Sequence, residues 1–168
     1  MDNIYEYYED TVKPTVEEFL INKTNLRKGR LAAIVLDHMR DYRGVQLGIK
    51  AETLLEQIKV DCFDLVLIRD VCNASKHCSL TGNSANNPKV KNPRNLSKAS
   101  DIKSENNVGI FGAPFGSSEA LFGESNYVYM KLDREVSLSA AEAPISSRVL
   151  HESINEVMKY WDKTLYSE

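Results

Sequence analysis

Residues 61 to 78, DCFDLVLIRDVCNASKHC, constrain the fold more than any other stretch of the chain. At about 100° per residue, Phe63, Leu67, Val71, Ala74 and Cys78 fall in one sector of a helix, and Leu65, Ile68 and Cys72 cover much of the opposite one. A helix apolar over more than half its circumference needs neighbours on more than one side. The pattern therefore predicts a helix over 61–78 near the middle of a bundle. Asp61 and Asp64 lie in its first turns, where capping and the helix dipole favour carboxylates.

The flanking segments supply partners for such a helix. Val16, Phe19 and Leu20 form a short apolar stripe in 10–22, with Pro14 near its start as a first-turn residue. Thr24 can cap a second helix over 25–43, where Leu31, Ile34, Val35, Met39 and Tyr42 recur at helical spacing and Gly44 ends it. Residues 48–58 carry Leu54, Leu55 and Ile58 on a further short helix. At the other end, Pro144 opens a segment whose Leu150, Ile154, Val157, Met158, Trp161 and Leu165 share one sector, giving an amphipathic closing helix over 144–166.

Between these helices the character of the chain changes. The stretch 79–107 holds seven Asn and two Pro, with five Lys or Arg against one Asp and one Glu. A loop this long is usually functional, disordered or hiding a short element. A Gly and aromatic segment follows, with Phe–Gly three times at Phe111, Phe115 and Phe122. It lacks the Lys that a GxxxxGK[ST] phosphate loop requires, and reads as a ribbon pinned to the core by its Phe side chains. Next, Tyr127, Tyr129 and Lys131 alternate with Val128, Met130 and Leu132, which predicts a β-hairpin turning at Asp133–Arg134.

The expected fold is mainly α, one domain over 1–168. A helical core (10–78 and 144–166) carries a polar basic loop (79–107), and the Gly/Phe segment with a small β-hairpin (108–139) is inserted before the C-terminal helix. A chain of 168 residues can bury a core without disulfide or metal staples. Net charge of −3 does not mark a strongly basic nucleic-acid binder, although a local basic patch escapes the average. No apolar run approaches the roughly 20 residues that span a bilayer. The acidic opening MDNIYEYYED has no basic region followed by an apolar one, so the expected location is the cytoplasm and no membrane partner is expected. Cys62, Cys72 and Cys78 lie on one helix without a CxxC pair, and read as reduced structural cysteines rather than a disulfide or zinc framework.

Arg69, Asp70, Asn73, Ser75, Lys76 and His77 share a polar sector of the 61–78 helix. His38 lies within the apolar face of the 25–43 helix, where a buried ring needs a partner, and Asp70 or Asn73 would serve. The stripe admits a structural account: Arg69 and Lys76 solvated, Asp70 and Asn73 satisfying His38 or a helix end, His77 complementing the dipole of its own helix. It also admits a functional one. Histidine can act as general acid or base near neutral pH, and Arg can hold a phosphate, a pairing that suits RNA cleavage without a cofactor or metal. A metal centre of His38 and His77 with Asp37, Asp41 or Asp70 is a third option on a helical scaffold, without an ExxH or HExxH repeat behind it.

An Arg followed by a polar residue and, further on, by a His near the end of a bundle helix, here Arg69, Asp70 and His77, resembles the signature of the HEPN superfamily. LIRDVCNASKH, with the Gly–aromatic segment and a closing helix bearing Trp161, is also similar to small proteins of bacteria and phages. The HEPN resemblance implies a helical bundle, commonly dimeric, with a metal-independent ribonuclease site used in phage defence or toxin–antitoxin conflict. It implies RNA as substrate and a homodimer or protein partner. By this resemblance Arg69 would bind phosphate, His77 would serve acid–base catalysis, and Asp70 and Asn73 would position them, beside Lys76 and His38. Seven residues separate Arg69 from His77, a wider spacing than that signature has, and eight steps of 1.5 Å put their α-carbons about 12 Å apart along the axis. The alternative class is a non-catalytic protein-interaction module with a structural polar cluster.

Overall fold

The computed structural model describes residues 3–77, 94–105, 127–139 and 143–166. Cys78, the 79–93 part of the basic loop and the Phe–Gly segment lie outside the described residues. The elements in order are α1 (Ile4–Tyr7), a π-helical turn (Tyr8–Val12), α2 (Lys13–Ile21), α3 (Leu26–Leu47), α4 (Ala51–Ile58) and α5 (Asp64–His77). A 3₁₀ turn (Ala99–Asp101), β1 (Ile102–Glu105), β2 (Tyr127–Val136), β3 (Ile145–Val149) and α6 (Leu150–Tyr166) complete them. The protein is mainly helical, with a three-stranded antiparallel sheet before the C-terminal helix.

The helical run at the N-terminus starts earlier than the stripe of 10–22 predicts. Asn3 caps it: its side chain accepts from the Tyr5 and Glu6 amides at 2.9 Å, and Glu6 reaches back to the Asn3 amide at 3.1 Å. Pro14 is in the first turn of α2, as expected, but α2 continues a helical run that begins at Ile4. Pro14 has no amide hydrogen to donate, and the turn before it is π-helical, with the Lys13 amide bonding to the Tyr8 carbonyl.

Helix α3 is capped by Asn25, whose side chain accepts from the Lys28 amide, and it continues to Leu47, three residues beyond the expected stop at Gly44. The residue in the left-handed conformation is Gly48, at φ 68°. Gly44 has another task. A Cβ there would sit 2.7 Å from the Ile49 carbonyl oxygen, which accepts no such approach, and the Ile49 amide bonds to the Gly44 carbonyl at 2.9 Å. The chain can thus fold back closely enough to start α4.

Helix α5 is the central element, as its apolar circumference predicts. Every residue from Asp64 to Cys72 is buried, and it packs against α3, α4, α6 and the 3₁₀ turn. Helix α6 closes the bundle with Leu150, Ile154, Val157, Trp161 and Leu165 buried along one face. Among the described residues no helix is long and apolar enough to cross a membrane.

The sheet order is β1–β2–β3. Val128, Met130 and Leu132 face the core, as the alternation predicts, and Ile102 of β1 pairs with Met130. The expected turn at Asp133–Arg134 is absent: β2 runs through both residues. The Asp133 amide donates to the Asn95 carbonyl at 2.7 Å, and the Arg134 guanidinium donates to the Asn95 side chain, so tertiary bonds hold this pair extended. The returning strand is β3, in residues expected to begin the last helix, and it meets β2 through Met130 opposite Arg148 with a bulge between Lys131 and Val136. The third strand, β1, is a short element inside the basic loop.

The two glycines give separable expectations in urea unfolding. Gly44→Ala, which meets backbone, should cost about 1–3 kcal/mol. Gly48→Ala should cost about 1–2 kcal/mol through its positive φ alone.

Candidate functional site

The polar stripe of α5 divides into a buried half and an exposed half. Arg69 is 4% exposed and Asp70 0%. Their guanidinium and carboxylate meet at Asp70 Oδ1, with Nε at 2.9 Å and Nη2 at 2.5 Å. The other oxygen, Oδ2, accepts from the Asn95 amide at 2.7 Å and from its side-chain Nδ2 at 3.2 Å. Asn95 Oδ1 in turn accepts from Arg134 Nη2 at 3.0 Å and Nε at 3.2 Å. Burial pushes the Asp70 carboxyl above the usual range, against the opposing pull of Arg69 and the Asn95 amide. Arg69 is accordingly not solvated, contrary to the structural account of the stripe.

The exposed half comprises Asn73, half-buried, and Lys76 and His77, both exposed in the last turn of α5. His38 does not meet Asp70 or Asn73. Its Nε2 lies 3.1 Å from Lys76 Nζ. Asp70 points to the opposite side of α5 from the face that α3 covers, and Asn95 and Arg69 already occupy its oxygens. Cys72 marks that α3-facing side, where Asp37 and Lys76 lie close enough to act on its thiol. Asp37 is 5% exposed and accepts from Arg40 Nη2 at 2.6 Å and Nε at 2.9 Å. Behind the exposed Lys76 there is thus a buried ion pair and a thiol.

The structure brings together Arg69 with Asp70, and Lys76 with His38. It does not bring Arg69 to His77, which remain two helical turns apart. The assembly of a metal centre from His38, His77 and Asp37, Asp41 or Asp70 finds no counterpart: among the described residues no group of three or more His, Cys, Asp or Glu could hold a metal ion. A cleft of about 1050 Å³, lined by Asp61, Cys62, Asp64, Arg148, Lys159 and Lys163 among others, lies by the first turn of α5. Asp64 there accepts from Ser153 Oγ at 2.5 Å and from Arg148 Nε at 3.3 Å. The cleft is at the opposite end of the helix from His38 and His77.

Sequence reasoning missed Asn95, Arg134 and the Asp37–Arg40 pair. One signal for the first was present: Leu96, a large aliphatic residue in a polar run, is 1% exposed and anchors the segment that carries Asn95.

No family model, curated protein or solved structure matches this chain.

Two outcomes follow from these contacts. Asp70→Ala leaves the Arg69 charge buried without its carboxylate and releases Asn95, and should lower unfolding free energy by about 3–5 kcal/mol in a urea titration. Burial first, with Asp64 nearby, pushes the Cys62 thiol up to about 11, and burial with Asp37 pushes Cys72 up to about 12. Both are neutral thiols at pH 8, where an unfolded cysteine ionises near about 8.5. In a Cys78→Ser protein, a thiol-specific chromogenic disulfide should leave both unlabelled at pH 8 until denaturant is added; fast native labelling would contradict the burial.

Proposed function

We propose that this chain acts on RNA, cleaving it without a metal ion in the manner the HEPN resemblance implies, in phage defence or toxin–antitoxin conflict. The observation that carries the reading is the exposed end of α5. There His77 stands in the last turn beside Lys76, and Lys76 Nζ is 3.1 Å from the imidazole of a second helix. An ammonium and two imidazoles supply what phosphodiester cleavage by the ribose needs: a cation for the phosphate and groups that move protons near neutral pH. The basic stretch that follows α5, with Arg94, Lys98 and Lys103 among its described residues, suits backbone contacts to a polyanion.

In this reading His77 is an acid–base group and Lys76 makes the phosphate contact. The phosphate role that the resemblance gives Arg69 fits poorly with a guanidinium buried against Asp70. Arg69 instead holds Asp70, and through it the Asn95 segment, beside the site.

A second reading is favoured by that same burial. With Arg69 and Asp70 fully used in tying α5 to the sheet, the cluster serves structure alone, and the chain is a non-catalytic module that binds a protein partner.

The test is degradation of a fluorophore-quencher RNA by purified protein in EDTA. Cleavage is expected, and His77→Ala should reduce it about 10²–10⁴-fold with the melting temperature unchanged. An unchanged rate in the mutant removes His77 from the mechanism, and cleavage seen only without EDTA points to a metal-dependent enzyme. Intact RNA together with a stoichiometric protein complex favours the interaction module.

A further inference from the structure

We infer that His38 is the general base of this site, its Nε2 lone pair guarded by Lys76 in the free protein and uncovered when a phosphodiester binds, with His77 as the acid. The inference rests on the RNA-cleaving reading and assigns its protons to named atoms.

The 3.1 Å contact between Lys76 Nζ and His38 Nε2 carries it. An ammonium has three donors and no lone pair, so it can meet an imidazole nitrogen only where that nitrogen accepts. In the tautomer with its ring proton on Nδ1, Nε2 presents a lone pair to this ammonium and can take a proton. Beneath Lys76, one helical turn back on α5, lies the Cys72 thiol, close enough to Lys76 and to Asp37, itself paired with Arg40, for both to act on its ionisation.

A phosphate offers Lys76 a stronger acceptor than an imidazole does, because the hydrogen bond to it is charge-assisted. Binding the anion thus draws the ammonium from Nε2 and frees the base at the moment the substrate arrives. His38 Nε2 then takes the proton of the ribose 2′-hydroxyl, and the 2′-oxygen forms its bond to phosphorus. The bond from phosphorus to the 5′-oxygen breaks, and His77 gives that oxygen its proton. The products are a 2′,3′-cyclic phosphate and a 5′-hydroxyl, and neither oxidant nor co-reactant is consumed.

The division of labour is tested with two substrates. A diribonucleotide needs its leaving oxygen protonated; uridine 3′-(4-nitrophenyl phosphate), with a stable phenolate leaving group, does not. His77→Ala should lose about 10²–10⁴-fold on the first and return close to the wild-type rate on the second. His38→Ala should be impaired on both. His38→Gln keeps an acceptor for Lys76 without a base, and should be as impaired as His38→Ala. Wild-type rates in His38→Gln, or recovery of His38→Ala on the activated ester, overturn the assignment while His77→Ala still reports on the RNA-cleaving reading. A wild-type protein that cleaves neither substrate overturns that reading and this inference with it.

Discussion

The carboxylate of Asp70 is the point on which the arrangement of helices and sheet depends. One oxygen takes the guanidinium of Arg69 and the other takes the amide and side chain of Asn95, which grips Arg134 of β2. A buried carboxylate must find donors for its lone pairs, and here they come from its neighbour Arg69 and from the distant Asn95, which in turn accepts from Arg134. Apolar packing seats the sheet on α6 and α3; directed bonds at a buried charge fix where β2 stands relative to α5. Three strands beside a helix can then hold together where a lone hairpin would be marginal.

This anchoring also decides which part of the stripe meets solvent. Satisfying Asp70 draws Arg69 inward, while two turns on, Lys76 and His77 lie past the Asn95 segment and are exposed. A stripe that is uniform on a helical wheel is thus split by what packs on it. The α3 side adds the Asp37–Arg40 pair and the Cys72 thiol beneath Lys76, so the exposed end rests on a polar floor rather than on hydrocarbon.

Elements with one dominant periodicity were legible from the residues. The burial of α5, the closing face of α6 and the inward Val128, Met130 and Leu132 of β2 all follow from spacing. What escaped was decided by distant partners. Asp133–Arg134 has turn chemistry, but Asn95 binds both residues in an extended strand. Pro144 suits a helix start, yet Ile145–Val149 pairs with β2 first. At Gly44 a local rule named the wrong glycine, because the approach of Ile49 is invisible in a window around position 44. For the site, the stripe and the need of His38 for a partner were readable, and the identity of that partner was not, since the wheel does not say which side of α5 faces α3.

The π-helical turn at Tyr8–Val12 bears on how the N-terminal helix keeps contact with the core. Four of its buried residues, Ile4, Tyr8, Val12 and Val16, come every fourth position. In a regular α-helix such a series drifts by about 40° at each step, so the fourth member would stand well round the barrel from the first. A turn closed by i→i+5 bonds is wider than 3.6 residues and takes back part of that rotation. The π-helical turn thereby straightens the apolar seam, and a helix with two different pitches presents one continuous edge to the bundle. Its first residue in that turn, Tyr8, sits fully buried and reaches Asp162 of α6 at 2.9 Å, joining the first and last helices of the chain.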